Sequence, residues 1–154
     1  MGYDKLLPGG LAGSEYMANI HELIVGSPKI DLAHEIKIQS ICRKLIDKEI
    51  INSAHDCSEG GLAIALAECS IISKIGFVGE LEFSGRWDDI LFGELQSRII
   101  VTVKSGKFKE FMSTCLDDEI KWVEIGYTGG NSFVVNDLIN ISLNKLSEVW
   151  GKNL

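Results

Sequence analysis

The stretch from Ile50 to Leu66, I-I-N-S-A-H-D-C-S-E-G-G-L-A-I-A-L, gathers the side chains best suited to chemistry. His55, Asp56, Cys57, Ser58 and Glu59 follow one another, and Gly60 and Gly61 come directly after. A short apolar run leads in and an apolar segment of helical length leads out, so the pattern predicts a strand, a polar turn and a helix. The turn then lies at the carboxyl end of the strand, where open α/β sheets place ligands. Ser58 suits an N-cap, and Glu59 suits the positive end of the helix. Gly60 and Gly61 let another backbone or a ligand come close, and an anion could sit on the amides of the helix start. Tight helix–sheet packing explains two glycines equally well, and the glycine patterns of known nucleotide sites are longer than this one.

Two pairs within the stretch have specific alternatives. His55-Asp56 resembles a metal dyad, but a metal centre needs more ligands, and His21 and His34 fall on separate helical segments. A turn histidine satisfied by backbone is the other reading. Cys57 beside His55 suggests a nucleophile only if the side chains face each other; otherwise it is a turn cysteine. Further along, Glu94, Gln96 and Arg98 alternate, and at period two they would share one side. That side is either a solvated rim or a binding set in which Arg98 grips a carboxylate or phosphate.

Bulk properties narrow the classes. The 154 residues are 45% hydrophobic and 24% charged, with a net charge of −7. That size suits one core, and the acidic balance argues against a nucleic-acid partner. No apolar run is long enough to span a bilayer, and the N-terminus lacks signal-peptide character. The four cysteines, Cys42, Cys57, Cys69 and Cys115, form no C-x-x-C pair. Reduced, buried thiols in a cytoplasmic protein are expected.

The elements that must position the turn can be read in order. Residues 1–13 are irregular. Ser14 caps a helix with Met17, Ile20 and Ile24 on its apolar stripe, ended by Gly26 and Pro28. Asp31 caps a longer helix to about Glu49, with Ile38, Ile41, Cys42 and Leu45 inward. The helix Glu59–Ser73 is apolar nearly all round and should be buried. Phe77, Gly79, Leu81 and Phe83 mark one face of a half-exposed strand. Ile99 to Val103 reads as an interior strand covered on both faces. A helix after Gly106 turns Phe108, Phe111, Met112, Cys115 and Leu116 to one side. Lys121 to Tyr127 should be a strand, Thr128 to Asn131 a hairpin turn, and Asn136-Asp137 a second turn. Ser142 caps a last helix with Leu143, Leu146 and Trp150 inward. Strand–helix–strand units followed by a hairpin predict an α+β fold in one domain, with no internal linker.

Three motifs occur together and in order: G-G-L-A-G-S-E-Y (Gly9 to Tyr16), H-D-C-S-E-G-G-L-A-I-A-L-A-E (His55 to Glu68) and L-F-G-E-L-Q-S-R (Leu91 to Arg98). In this combination the chain resembles the phosphoribosylformylglycinamidine synthase family, and within it the C-terminal domain shared with aminoimidazole ribonucleotide (AIR) synthases. The likeness runs to S-L-N-K-L-S-E-V-W at Ser142 to Trp150, with Glu59 where many members carry Asp. It implies a three-layer α/β/α domain with a mixed sheet and partial ferredoxin-like topology. It implies residues 1–154 as a single domain, with 1–30 as lead-in, within a longer chain. The activity implied is ATP-dependent C–N ligation in purine biosynthesis. Formylglycinamide ribonucleotide and glutamine-derived ammonia become the amidine, with ATP and Mg²⁺ as cofactors of the full enzyme and none expected in this chain alone. No catalytic residue and no metal ligand is expected here. Asp56, Ser58, Gly60, Gly61, Glu94, Gln96 and Arg98 are the candidates for contact with substrate or phosphate. The implied partners are the preceding domains, the glutaminase and the small accessory subunit of a cytoplasmic complex, with neither nucleic acid nor membrane. Two alternatives stay open: a non-catalytic or pseudo-site module of that enzyme, and a related kinase or maturation protein.

Overall fold

A computed structural model describes residues 1–152. In chain order the elements are α1 (Glu15–His21), α2 (Leu32–Asp47), β1 (Ile51–Asp56), α3 (Gly61–Ser73), β2 (Phe77–Gly79) and α4 (Trp87–Phe92). Then come β3 (Ile99–Val103), α5 (Phe108–Asp117), β4 (Tyr127–Thr128), β5 (Ser132–Val135), β6 (Ile139–Ser142) and α6 (Leu143–Gly151). The backbone gathers into two compact units. One holds Met1–Ala65 with Phe83–Val123; the other holds Leu66–Glu82 with the chain from Glu124 onward.

In the first unit β1 and β3 pair antiparallel, with His55 opposite Ile100 and Asp56 opposite Ile99. Helices α2 and α5 supply the core beside them: Ile38, Ile41 and Leu45 from one, Phe111 and Cys115 from the other, joined by Ile50, Ile51 and Ile120. Burying each large aliphatic chain contributes about 1.5–3 kcal/mol. The inward stripe of α2 is the expected one, with Cys42 included. Its start is fixed as expected too, since the Asp31 carboxylate accepts from the Ala33 and His34 N–H groups. Burial pushes the Cys115 thiol up to about 11, so it stays protonated and inert at neutral pH.

Several expectations fail here for identifiable reasons. Among the described residues β3 pairs with β1 alone, and only Ile100 on it is buried, so β3 is not an interior strand. A β-branched run reports a face that packs well, not the number of neighbours. On α5 the buried arc is Phe111, Thr114 and Cys115, while Leu116 is 78% exposed. Helix α1 stops at His21, where Glu22 turns left-handed, and Ile20 and Ile24 of the expected stripe stand exposed. Of the strand expected from Lys121 to Tyr127, residues 121–126 form none and only Tyr127 enters β4.

The second unit is built on a mixed four-stranded sheet in the order β4-β2-β5-β6. Strand β2 runs parallel to β5 and antiparallel to β4. Because β2 lies between them, Thr128 to Asn131 does not close a hairpin of adjacent strands. The β5–β6 hairpin at Asn136-Asp137 forms as expected. Strand β2 ends at Gly79 instead of reaching Phe83, because the Asn136 amide takes over the pairing. The Leu81 N–H donates to Asn136 Oδ1 at 2.9 Å, and Asn136 Nδ2 donates to the Leu81 carbonyl at 3.0 Å. Ser142 caps α6 by accepting from the Lys145 N–H, and Leu143 is buried, but Trp150 is 41% exposed. Mixed pairing and helices together give the α+β class with a mixed sheet. Helix α3 is buried at Leu62, Ala63, Ala65, Leu66 and Ala67, while Ile64 and Ile72 are exposed, so it is not covered all round.

Candidate functional site

The chemistry-bearing stretch divides differently from its sequence pattern. His55 and Asp56 belong to β1, and the turn proper is Cys57 to Gly60. The His55 ring nitrogen Nδ1 lies 2.7 Å from the Asp56 carbonyl oxygen, the backbone-satisfied arrangement. Cys57 is buried, and its N–H donates to the Arg98 carbonyl at 3.0 Å. Gly60 and Gly61 both take positive φ, 77° and 71°, which delays the helix to Gly61. Ser58 therefore meets the helix start through its carbonyl, which accepts the Gly61 N–H at 3.1 Å, and Glu59 stands in the turn and not in the first helical turn.

The glycines serve close backbone approach. A Cβ on Gly61 would lie 2.5 Å from the Gly93 oxygen and 2.9 Å from the Phe92 carbonyl carbon. One on Gly10 would lie 2.5 Å from the Leu95 nitrogen and 2.8 Å from the Gly93 carbonyl carbon. The end of α4 is thus clasped between the Gly9-Gly10 segment and the start of α3. Side chains tie the same clasp. Glu94 Oε1 accepts from the Gly60 N–H at 2.9 Å and from the Glu15 N–H at 2.8 Å. Asp89 Oδ1 accepts from the Gly9 and Gly10 N–H groups at 2.9 and 3.1 Å. Arg98 donates from Nε to the Leu95 carbonyl at 3.2 Å, from Nη1 to the Ile90 carbonyl at 3.4 Å, and from Nη2 to the Gly93 carbonyl. Tyr16 stacks on Phe92 with ring centroids 5.1 Å apart. All three sequence motifs meet in this one knot of backbone.

Above the knot opens a cavity of about 460 Å³. Five of the seven candidate residues line it: Asp56, Ser58, Glu94, Gln96 and Arg98. Gly60 and Gly61 do not; they hold the turn from behind. Glu94, Gln96 and Arg98 do not share one side, because the chain bends at Gln96-Ser97 and Ser97 takes φ 60°. Gln96 is exposed, Glu94 half-buried and Arg98 only 9% exposed. Burial pulls the Arg98 guanidinium below its usual range. The pattern gave no hint of Glu35 and Gln39 on α2, or of Ser97. The Ser97 hydroxyl donates to Glu35 Oε2 at 2.6 Å and Gln39 Nε2 donates to Glu35 Oε1 at 2.7 Å, so α2 is fastened to the same wall. Glu35 and Gln39 are one turn apart on the helix, a pairing visible in principle from i,i+4 spacing.

The lining sets the chemistry. Glu35, Asp56, Glu59 and Glu94 bring four carboxylates against one guanidinium whose donors already face carbonyls. Such a wall accepts hydrogen bonds from hydroxyl, amide or ammonium groups and repels a polyphosphate. Among the described residues no three His, Cys, Asp or Glu side chains converge as a metal cage would need.

Comparison with known proteins agrees with the three motifs. A family model described as AIR synthase related protein, C-terminal domain, matches residues 5–136. The chain is 41% identical to the phosphoribosylformylglycinamidine synthase subunit PurL of Thermomicrobium roseum, over 94% of its own length and 20% of that protein. It is 47% identical to PurL of Gloeobacter violaceus over 64% of its own length and 13% of that protein. It spans about a fifth of the length of the curated relatives it matches. Among solved structures, Thermotoga maritima PurL complexed with FGAR superposes with a TM-score of 0.68 at 14% identity, over 96% of this chain and 29% of that one. PurLQS from Thermotoga maritima superposes with 0.65 at 17% identity, over 94% and 27%. The matched domain carries the motif turn, the α4 clasp and the cavity alike, and the chain belongs to the AIR synthase related proteins, in their C-terminal domain family.

Proposed function

We propose that this chain is the C-terminal domain of a phosphoribosylformylglycinamidine synthase, with residues 1–154 as one domain of a longer cytoplasmic enzyme. The observation that carries this is 41% identity to a PurL subunit along nearly the whole chain. The reaction of the whole enzyme joins ammonia to formylglycinamide ribonucleotide at the expense of ATP with Mg²⁺. The preceding domains supply the nucleotide and metal sites, and a glutaminase and a small subunit complete the assembly. PurLQS of Thermotoga maritima, a fold neighbour, supports an assembly of that kind.

The role of this chain follows from its lining. Asp56, Ser58 and Gln96 point hydrogen-bond acceptors and a hydroxyl into the cavity and form one wall for the sugar and amide portion of the substrate. Gly60, Gly61, Glu94 and Arg98 position that wall and do not touch the ligand. Arg98 in particular is a positioning residue, since its fork is engaged by three carbonyls.

Grafting tests this. This chain replaces the matching domain of the Thermomicrobium roseum subunit, and amidine formation is followed in the assembled complex. Activity is expected, with Asp56→Asn and Gln96→Leu each raising the KM for formylglycinamide ribonucleotide about tenfold, one lost charge-assisted or polar contact being worth about 1.4 kcal/mol. The KM for ATP should not move. A folded graft without activity would refute the assignment, and an unchanged substrate KM in both variants would refute the wall.

A further inference from the structure

Three segments line the cavity: α2 with Glu35 and Gln39, the turn from Asp56 to Glu59, and the chain from Glu94 to Ile99. The last of these bends at Gln96-Ser97, and it is held at three successive residues. The Tyr3 hydroxyl donates to the Gln96 carbonyl at 3.3 Å, and the Tyr3 ring lies against His34 of α2 with centroids 5.3 Å apart. The Ser97 hydroxyl donates to Glu35 Oε2 at 2.6 Å. The Arg98 carbonyl accepts from the Cys57 N–H. Two neighbouring residues of α2 thus fasten two neighbouring residues of the bend: Glu35 holds Ser97 directly, and His34 holds Gln96 by way of Tyr3.

Ser97 is not the residue that the backbone alone would favour. It is buried at φ 60°, a conformation that glycine takes freely. A residue with a Cβ persists there when its surroundings over-determine it, and such residues cluster at functional sites. If the bend required only its shape, glycine would supply it without strain. What serine adds is a hydroxyl, and Glu35 takes that hydroxyl at the distance of a charge-assisted bond. The carboxylate is itself fixed, because its other oxygen accepts from Gln39 Nε2 at 2.7 Å, one turn along α2. Gln39, Glu35 and Ser97 therefore form a chain of two hydrogen bonds that ends beside Gln96. Gln96 is exposed, and its Nε2 donates to the Glu94 carbonyl at 3.2 Å, which leaves Oε1 as the acceptor toward a ligand.

We propose that Glu35 is a positioning residue for substrate binding: through Ser97 it holds the bend that sets Gln96 at the cavity, and Gln39 holds Glu35 in turn. The clasp around Arg98 sets where the chain bends. The Glu35 tie locks that bend to α2, so that Gln96 keeps one position relative to the rest of the lining. Pre-organisation of this kind strengthens binding, because the ligand no longer has to order the segment that receives it. The inference rests on the reading of the cavity as a substrate wall. It adds to that reading a residue the ligand does not have to touch, on an element that carries none of the three sequence motifs.

Kinetics of the Thermomicrobium roseum graft test it. Glu35→Ala and Ser97→Gly should each raise the KM for formylglycinamide ribonucleotide about threefold to tenfold, with kcat and the KM for ATP unchanged. Ser97→Gly takes the left-handed φ without strain, so it decides the matter if Glu35→Ala fails to fold. Glu35→Gln should stay within about twofold of the parent, because its carbonyl still accepts from Ser97 and the Gln39 amide can turn its own oxygen to the new donor. A cycle with Gln96→Leu is the sharper measurement. A residue that acts only through Gln96 has nothing to position once Gln96 is gone. Glu35→Ala should then add no more than about twofold to the KM of Gln96→Leu. Factors that multiply overturn the proposal. So does a Glu35→Gln variant as impaired as Glu35→Ala, since the carboxylate charge would then be acting on the ligand itself. A raised KM in Gln96→Leu with a parental KM in both Glu35→Ala and Ser97→Gly overturns the proposal and leaves the substrate wall standing. A parental KM in Gln96→Leu overturns it as well, and the wall falls with it only if Asp56→Asn is parental too. A folded but inactive graft refutes the assignment and this inference together.

Discussion

Arg98 shows how far a side chain's chemistry depends on what surrounds it. A guanidinium in a run of alternating polar residues suggests a grip on phosphate. Buried, it instead ties three main-chain carbonyls around the end of α4. Lysine has one nitrogen and cannot span that fork. Each buried carbonyl left unpaired costs about 1–3 kcal/mol. Arg98→Lys should therefore lower stability by at least about 2 kcal/mol in urea unfolding, two lost acceptor bonds being the minimum. In the grafted enzyme it should reduce the amount of folded protein more than the substrate KM of what remains. Gly61 belongs to the same knot. Valine there meets a positive φ and the Gly93 oxygen at 2.5 Å. Backbone strain of about 1–3 kcal/mol adds to overpacking of about 1–3 kcal/mol. Gly61→Val should unfold or severely destabilise the chain, and a thermal midpoint within a degree or two of the parent would contradict the clasp. The glycine pair and the need for close approach were legible in the sequence; what approaches was not. A turn pattern carries no information about a helix end thirty residues away. Likewise the bend at Ser97, which breaks the period-two alternation, is set by the clasp and leaves no local trace in residue type.

At the scale of elements the readable features were those decided within a few residues. Asp31, Ser14 and Ser142 cap the helices they precede, because a cap needs only the next turn's amides. The inward stripe of α2 likewise follows from its own spacing. Features decided by a distant partner were not readable. Strand β2 stops at Gly79 because a side chain fifty-five residues on from Leu81 replaces the ladder. That substitution is testable. Asn136 has a left-handed φ of 47°, which Asn tolerates. Asn136→Asp keeps the acceptor for the Leu81 N–H and loses the donor; Asn136→Ala loses both. Losing both should cost about 1–3 kcal/mol, and the Asp variant should fall between Ala and the parent. Exchange of the Leu81 amide separates them, remaining slow in the Asp variant and becoming fast in the Ala variant. Equal, slow exchange in both would mean that Leu81 has another acceptor.

At the scale of the whole molecule, one stretch among the described residues is rich in exposed apolar side chains. Ile20, Leu23, Ile24, Val25, Ile30, Leu32 and Ile36 are all between 48% and 87% exposed, within one stretch of the chain. Single exposed apolar side chains are ordinary; seven within seventeen residues favour a segment that meets something. Together with the acidic cavity, this gives a consistent expectation for the chain by itself. Phosphoryl transfer depends on metal ions and basic groups placed around the phosphates. The one guanidinium lining this cavity is turned to carbonyls, and no lysine lines it. The chain alone should therefore fold but produce no amidine from ATP, ammonia and formylglycinamide ribonucleotide. It should also self-associate weakly, with sedimentation shifting as concentration rises and Ile24→Lys with Ile36→Lys abolishing the shift. The decisive measurement is ADP release by the purified chain with all three reactants present. Turnover that survives repurification and vanishes in Asp56→Ala would place the whole active site on this chain. One wall of a shared site, by contrast, leaves the chain silent and restores turnover only when the preceding domains are supplied.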